Sequence, residues 1–348
     1  MTRALAVLCV RNEGAFLLDW LAHHRAVGFT DFLVFSNDCD DGTDLMLDRL
    51  QAMGTLTHIR NQDHGTKGPQ WSALRLADRH PAVAAAEWVM VLDIDEYVNI
   101  HVGAHRLSDL WAAVPQATAI PLTWRMFGNA GVITDRNRPV TEVFTRAAPS
   151  VLYWPWRAQL FKTLHRNDGS YRRLGVHRPR DPDPGRRASH RWFDGSGREL
   201  PEVFHRERVF SPLGQHSHRI AQLNHYALGS MEGYLLKSDR GRANREGADF
   251  DMGYWVDRNF CDVEDRTVLA LDAMSERAAL TADPVLSSLH RAAVVWRQQR
   301  VRTLMQDEAW RAFFGRLMMT PPTRVLSEVE ARRIWQPQDD LAGANRPG

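Results

Sequence analysis

The stretch Trp88–Ile100, WVMVLDIDEYVNI, decides how this chain folds. Its first five residues are apolar and bulky or β-branched, which is typical of a buried parallel strand. Asp93, Asp95 and Glu96 follow directly, and an extended apolar pattern resumes at Tyr97. Three carboxylates after a buried strand are costly unless a positive charge meets them. Because ligands bind at the carboxyl ends of strands in open α/β sheets, the motif predicts a metal or nucleotide site.

Two of these carboxylates, Asp93 and Asp95, are separated by a single residue. In an extended segment this spacing places both side chains on the same side of the backbone. They could then hold one hard divalent cation and, through it, a phosphate group. The alternative for any one of them is a helix cap or a solvated turn, but the whole motif favours the ligand site.

Strand and helix patterns alternate up to this motif. Gly28 and Gly54 end the first two helices, and the alternation indicates a parallel, doubly wound sheet. No Gly-rich dinucleotide fingerprint and no Walker A sequence is present, so a nucleotide would not rest on a Gly-rich loop. Strands are predicted over 4–10, 31–36, 55–60 and 88–93, and helices over 16–27, 45–53 and 71–80.

Polar side chains follow three of these four strands. One such group would be an ordinary turn, but three at one sheet edge predict a converging polar pocket. The groups are Asn12 and Glu13, then Asn37 and Asp38, then Asp93, Asp95 and Glu96.

Further strands and helices are predicted in the remaining chain. Strands are predicted over 117–123, 157–163 and 220–226, with helices over 108–113, 230–240, 265–280 and 285–314. Residues 165–200 are rich in Arg, Gly and Pro and predict an exposed loop. The segment after Trp335 is polar and predicts a disordered tail.

Composition excludes several classes of protein. The chain has 348 residues, and 44 Lys and Arg nearly balance 42 Asp and Glu, so nothing indicates a nucleic-acid partner. Three widely spaced cysteines suggest neither a disulfide framework nor a zinc ribbon and fit a reducing cytoplasm. No stretch approaches the roughly 20 apolar residues of a membrane span, which leaves a peripheral membrane contact open.

The chain contains, in this order, the segments RNEGAFLLDWLAHHRAVGF (11–29), SNDCDDGT (36–43), Gln70, VLDIDEYVNI (91–100), WRMFGNAG (124–131) and LNHYALGSMEGYLLKSDRG (223–241). Together these segments resemble the glycosyltransferase family 2-like group of bacterial proteins, which have the GT-A fold. The resemblance covers roughly residues 3 to 245, with departures at Cys39, Asp40, Leu228 and Gly229.

The resemblance implies a fold and its division. We expect a GT-A-type nucleotide-diphospho-sugar transferase fold with a mostly parallel central sheet flanked by helices. The GT-A-like domain would occupy residues 1–245, with a nucleotide-binding half at about 1–100 and an acceptor half at about 101–245. A helical C-terminal extension at 246–334 and the tail at 335–348 would follow.

The resemblance also implies a nucleotide-sugar donor and a divalent metal, Mn²⁺ or Mg²⁺. Asp93 would approach the ribose or the metal, and Asp95 would hold the metal that bridges the diphosphate. His225 is the first candidate to complete the metal shell and His177 the second. The expected contacts with the nucleoside are made by Asn12, Glu13 and Asp38.

The chemistry would be transfer of the sugar to an acceptor hydroxyl, with inversion at the anomeric carbon implied by family 2. The cation would stabilise the leaving diphosphate as a Lewis acid, and a carboxylate would take the hydroxyl proton. Glu232 and Asp194 are the candidates for this base, although each could be an ordinary solvated carboxylate. Lys67 and Gln70 could touch the nucleotide or phosphate, or merely begin a helix.

Two other functions stay open at this point. A metal-dependent phosphoesterase or nucleotidyltransferase could use the same acidic strand end, and 15 histidines supply possible ligands. An inactive module could bind a sugar nucleotide without turning it over. By analogy, a cytoplasmic enzyme of surface glycan or polysaccharide synthesis is the expected setting.

Overall fold

The structure, a computed structural model, describes residues 2–66, 68–135, 137–241 and 250–335. The strands are β1 (Ala4–Val10), β2 (Asp31–Ser36), β3 (Thr57–Arg60), β4 (Trp88–Leu92), β5 (Glu96–Ile100), β6 (Ala119–Met126), β7 (Arg146–Ala147), β8 (Phe161–Arg166), β9 (Tyr171–Arg173), β10 (Arg180–Pro182), β11 (Ala221–His225) and β12 (Val263–Glu264). The helices are α1 (Gly14–Val27), α2 (Thr43–Ala52), α3 (Pro69–Ala77), α4 (Pro81–Ala85), α5 (Leu107–Ala113), α6 (Val140–Val143), α7 (Met231–Arg240), α8 (Met252–Val256), α9 (Met274–Thr281), α10 (Pro284–Leu304), α11 (Glu308–Met319) and α12 (Glu328–Trp335).

Eight of the described strands form one mixed sheet in the order β3-β2-β1-β4-β8-β6-β11-β5. Strands β3, β2, β1 and β4 are parallel, and β8 runs antiparallel between β4 and β6. Strand β11 is parallel to β6, and β5 is antiparallel to β11. The predicted α/β fold with a mostly parallel central sheet flanked by helices is therefore confirmed. The carboxyl ends of β1, β2, β4 and β11 share one edge of this sheet.

The central strands are buried on both faces, which explains their continuous apolar sequences. In β1, Leu5 and Val7 point to the layer that contains α3, where they join Leu74 in one hydrophobic cluster. Ala6 and Leu8 point the other way, to the larger core beneath α1 and α2. This alternation with a period of two follows from strand geometry and fixes the register of β1 against both layers.

The C-terminal helices pack against the start of the chain. Helix α10 crosses α1 and α2, and a Cβ atom on Gly14 would lie 2.8 Å from the Cβ atom of Ala293. The absence of a side chain at Gly14 thus permits the close approach of the two helices. An ion pair between Arg49 and Asp283, at 2.5 Å, lies at the same contact. The extension is therefore fixed to the nucleotide-binding half predicted from sequence.

Some predicted boundaries differ from the observed ones. The strand predicted over 157–163 begins as a 3-10 helix at Trp156–Gln159, and β8 follows it. The helix predicted over 265–280 is confined to α9 with a 3-10 turn before it. The helix predicted over 285–314 is two helices, because the Asp307 side chain caps α11 by accepting from the backbone N–H of Ala309.

Two further expectations concern the end of the chain and the membrane. Residues 336–348 of the predicted tail lie outside the described residues. Among the helices that the structure describes, none is both long and apolar enough to cross a bilayer. The proposed domain boundaries stay predictions.

Candidate active site

A cleft of about 440 Å³ lies at the sheet edge where β1, β2, β4 and β11 end. We call it the strand-end cleft. The turns after β1 and β2 contain Asn12 and Asp38 in the left-handed region, at φ 55° and 46°, a conformation that Asn and Asp tolerate. The predicted residues that line the cleft are Glu13, Asp38, Gln70, Asp93, Asp95, His177 and His225.

The first aspartate of the acidic motif is held by two neighbours. One carboxylate oxygen of Asp93 accepts from Gln70 at 3.1 Å, and the other accepts from the ammonium of Lys162 at 2.8 Å. Strand β8, adjacent to β4, carries Lys162, whose side chain is fully buried. Burial lowers the pKa of Lys162, but the carboxylates of Asp93 and Glu96 more than compensate and raise it. The buried Lys162 therefore has the negative partner that its burial requires.

The third carboxylate of the motif supports the turn and does not line the cleft. Glu96 is fully buried, and its carboxylate accepts from the backbone N–H of Asp93 at 2.8 Å and from the indole N–H of Trp124 at 2.7 Å. Burial raises the pKa of Glu96 to about 8, and the charge of Lys162 opposes that rise. Glu96 thus positions the acidic turn.

The second aspartate faces a different lysine. Asp95 accepts from the ammonium of Lys237 at 2.7 Å, and the Nε2 atom of His225 lies 3.8 Å from the same oxygen. Lys237 also donates to the carbonyl of Ala227 at 2.7 Å. Although burial raises the pKa of Asp95, Lys237 and His225 hold it well below its usual range.

The extended geometry expected for the acidic pair is not observed. Residues 93–95 form a turn between β4 and β5, so Asp93 and Asp95 do not share one side of a strand. A turn allows each carboxylate to meet its own buried lysine, which one extended segment would not. Both side chains still open onto the strand-end cleft.

The described residues contain no preassembled metal centre. Among them, no three His, Cys, Asp or Glu side chains converge, so the predicted set of Asp93, Asp95 and His225 is not assembled. Asp95 and His225 nevertheless present an oxygen and a nitrogen 3.8 Å apart. Magnesium-type sites commonly use one or two protein ligands plus phosphate oxygens. These two residues fit an ion that shares its shell with a bound phosphate, once Lys237 gives up its place on Asp95.

Arginines line the opposite wall of the cleft. The guanidinium of Arg240 bonds to the carboxylate of Glu13 and donates to the carbonyl of Arg11 at 2.6 Å. Arg11 in turn donates to the carbonyl of Asp38 at 3.2 Å. A hydrogen bond from Asn37 holds the pKa of Asp38 below its usual range. Cations thus flank the acidic residues on two sides.

Two predicted contacts are not placed in this cleft. Asn12 lines a neighbouring cavity between the start of α1, α7 and α10, which we call the helix cavity. Its side-chain amide donates to Asp40 at 3.3 Å. Lys67 lies outside the described residues.

The first candidate base, Asp194, lies at the far end of the sheet. The backbone of Gly195, the next residue, bonds to Ala221, which begins β11, whereas His225 at the other end of that strand faces the cleft. The carboxylate of Asp194 accepts from the guanidinium of Arg198 at 2.7 and 3.0 Å. The structure therefore does not bring Asp194 to the reacting groups.

The second candidate base, Glu232, lies in a recess beside the helix cavity. Its carboxylate accepts weakly, at 3.4 Å, from the Thr134 hydroxyl and the Asp135 backbone. Burial raises the pKa of Glu232. Glu232 does not line the strand-end cleft.

Sequence reasoning assigned no role to the basic side chains at this site. Lys237 and Arg240 are three residues apart on α7, a spacing that places both on one helix face. Lys162 lies between Phe161 and Thr163 in a strand whose first five residues are buried, where a charged side chain needs a partner. Both patterns were visible signals of buried cations next to the acidic motif.

The comparison with protein families gives one match. The model of glycosyltransferase family 92 matches residues 7–194, more than half of the chain. A glycosyltransferase family 92 protein of Oryza sativa subsp. japonica is 24% identical over 142 residues, which are 39% of this chain and 23% of that protein. The chain thus spans about a quarter of that relative's length. The family 2-like grouping expected from the motifs is not confirmed.

Solved structures give distant similarities. Residues 1–349 of S. aureus TarS in complex with UDP are 18% identical, covering 39% of this chain and 38% of that chain, with a TM-score of 0.28. Glucosyl-3-phosphoglycerate synthase of Mycobacterium tuberculosis, in complex with Mn²⁺, UDP and glucosyl-3-phosphoglycerate, is 17% identical. It covers 38% of this chain and 46% of that chain, with a TM-score of 0.25. These similarities assign no role to any residue.

Proposed function

Because the chain belongs to glycosyltransferase family 92, we propose that it transfers a sugar from a nucleoside-diphosphate donor to a hydroxyl acceptor at the strand-end cleft. The observation that carries this proposal is that Asp93, Asp95, Lys237 and Arg240 line one cavity. Within it, Asp95 bonds to Lys237 at 2.7 Å, and the buried Lys162 bonds to Asp93 at 2.8 Å from behind the cavity wall. Carboxylates and cations in one cleft suit a ligand that carries both hydroxyl and phosphate groups.

The donor would span the cleft from its nucleoside to its sugar. Asp38 lies at the end of β2, where it would accept from the base or the ribose, and Gln70 and Asp93 would bind the ribose hydroxyls. Lys237 and Arg240 would bind the diphosphate oxygens, since an ammonium and a guanidinium are strong donors to phosphate. Binding of this kind holds the anomeric carbon beside Asp95.

A divalent cation belongs to this proposal. Asp95 and His225 would hold it, because the Nε2 atom of His225 is the nitrogen that faces Asp95. Bound there, Mn²⁺ or Mg²⁺ would supply Lewis-acid stabilisation of the negative charge on the leaving diphosphate. Lys237 and Arg240 would stabilise the same charge from the protein side.

The reaction exchanges one bond for another. The acceptor oxygen forms a bond to the anomeric carbon, and the bond from that carbon to the β-phosphate oxygen breaks with its electron pair leaving on the nucleoside diphosphate. The hydroxyl proton passes to a carboxylate. Glu13 and Asp95 border both the strand-end cleft and the helix cavity. We assign the proton to Glu13, because Asp95 is committed to the donor side.

This assignment changes the role of Glu13 from the nucleoside contact expected from sequence. Inversion at the anomeric carbon stays part of the proposal. Participation in surface glycan or polysaccharide synthesis and a cytoplasmic location stay predictions. None of the contacts described favours the phosphoesterase or the nucleotidyltransferase.

A thermal-shift screen of UDP-, GDP-, ADP- and dTDP-sugars with Mn²⁺ tests the proposal. A ligand at 100 times its Kd stabilises the folded protein by about 2.7 kcal/mol, so the correct donor raises the melting temperature by several degrees. The same donor is then incubated with a hydroxyl acceptor, and the glycosylated product is measured by mass spectrometry. Release of inorganic phosphate without an acceptor, or no stabilising donor, would contradict it.

A further inference from the structure

The helix cavity lies directly behind the strand-end cleft. Its volume is about 430 Å³, within the range of pockets that bind small molecules. The ion pairs Asp95–Lys237 and Glu13–Arg240 belong to the wall that the two cavities share. The residues that border both are Arg11, Glu13, Ile94, Asp95, Lys237 and Arg240. A molecule in the helix cavity would therefore meet a donor sugar across this wall.

The charges of the helix cavity balance. Arg297 pairs with Asp135 at 2.7 Å, and Arg300 pairs with both oxygens of Asp239 at 2.7 and 2.8 Å. Counting all the described residues that line the cavity, five Lys and Arg side chains meet five Asp and Glu side chains. A binding site without excess charge selects neither an anion nor a cation. Its paired groups still offer acceptor oxygens and donor nitrogens to hydroxyl groups.

Aromatic and aliphatic side chains form the rest of the lining. Trp296 of α10 and Phe16 of α1 face the cavity, and the guanidinium of Arg297 lies 4.5 Å from the centre of the Phe16 ring. Both aromatic side chains are only half-buried, so their surfaces are available to a ligand. An apolar surface beside paired polar groups matches a sugar, which has one face of C–H groups and an edge of hydroxyls.

We propose that the helix cavity binds the acceptor, that the acceptor is an uncharged saccharide, and that Trp296 and Arg297 of α10 determine its specificity. This proposal rests on the proposed function, since it names the molecule that receives the sugar. The acceptor hydroxyl would reach Glu13, which borders both cavities, and would lose its proton to that carboxylate. The C-terminal extension would then be part of the substrate site and more than a packing element.

Kinetics of the full-length enzyme test the proposal once a donor is known. Neutral di- and trisaccharides of glucose, galactose, mannose and N-acetylglucosamine are offered as acceptors, beside a uronic-acid disaccharide and a polyprenyl phosphate. We expect a neutral saccharide to be used, with an acceptor KM that rises at least tenfold in Trp296→Leu. The Kd of the donor, measured by calorimetry, should stay within twofold.

A matched control is Trp310→Leu. Trp310 is also half-buried in the extension, on α11, but it does not line the helix cavity. This variant should leave the acceptor KM unchanged. A second test variant, Arg297→Lys, keeps the charge opposite Asp135 but removes the planar group above Phe16, and it should also raise the acceptor KM.

Four results would overturn the proposal. Trp296→Leu could weaken donor and acceptor equally, Trp310→Leu could match its effect, or only the charged or lipid acceptor could be glycosylated. Use of no saccharide by a protein that binds donor would also contradict it. Failure to bind any donor would instead contradict the function proposed for the strand-end cleft, so the two failures can be told apart.

Discussion

The two cavities of this protein hold their charges in different ways. Behind the strand-end cleft, Lys162 and Glu96 are completely buried and fix the turn that carries Asp93. In the helix cavity, Arg300 of α10 pairs with Asp239 of α7 at the helix surface and remains 39% exposed. The first arrangement is rigid, because moving a buried charge away from its partner costs several kcal/mol. The second can be changed without disturbing the sheet.

This difference suggests that the two cavities bind different substrates. Under the proposals above, the rigid site on the strand ends would bind the donor, and the cavity bordered by α7 and α10 would bind the acceptor. If the two cavities are independent, a substitution in one should leave ligand binding in the other unchanged.

Asp95→Asn should have the largest effect. The variant keeps a hydrogen bond to Lys237 but loses the charge that faces the donor, so transfer should fall on the order of 10³–10⁴-fold. The urea midpoint should fall as well, because the buried Lys237 loses its carboxylate partner, so circular dichroism must show that the assayed variant is folded. Transfer rates measured with saturating donor check this, and retained turnover would remove Asp95 from the chemistry.

Removal of divalent metal should come next. EDTA should stop transfer, and Mn²⁺ or Mg²⁺ should restore it, because Asp95 and His225 fit an ion shared with the diphosphate. The near-ultraviolet circular dichroism spectrum should not change on chelation. Full activity in thoroughly chelated enzyme would contradict this and would leave Lys237 as the cation at the diphosphate.

Lys162→Met should chiefly affect stability. It leaves Asp93 and Glu96 without their buried counter-charge, at a cost of about 3–5 kcal/mol in the free energy of unfolding. The double variant Lys162→Met with Asp93→Asn removes the charge that Lys162 bonds to and should recover part of the loss. Urea unfolding of both variants measures the difference. Equal stability of the single variant and the unchanged protein would show that the cleft is less rigid than its contacts indicate.

Glu13→Gln should lower kcat about 100-fold, the smaller end of what a general base contributes. The donor Kd should change by less than twofold, because the variant remains able to accept a hydrogen bond from Arg240. A raised donor Kd with unchanged kcat would instead return Glu13 to the nucleoside contact. Titration calorimetry and initial rates distinguish the two outcomes.

The smallest effect concerns a buried histidine outside both cavities. Burial lowers the pKa of His23 to about 4, although its bond to the carbonyl of Val98 opposes the shift. The unfolded chain, with a histidine pKa of about 6.5, then binds more protons than the folded one between pH 6.5 and 4. The free energy of unfolding should therefore fall as the pH is lowered through this window, by about 2 kcal/mol at pH 5. His23→Gln should reduce that dependence.

The sequence predicted the strand-end cleft well for a physical reason. Its acidic and amide residues follow directly after apolar strands, so position in the chain determines position in space. The helix cavity offered no such signal. It joins Phe16 on α1 to Trp296 on α10, and only the packing allowed by Gly14 brings them together. Asp194 and Glu232 were chosen without that packing, and neither reaches the strand-end cleft.

The bond between Lys237 and Asp95 also bears on how fast the product leaves. As the nucleoside diphosphate departs, the ammonium can return to the aspartate, so the emptied site is never left with a bare buried charge. Under the proposed function, Asp95 would thus compete with the diphosphate for Lys237. This competition would shorten the residence of the spent nucleotide and would favour turnover wherever release limits the cycle.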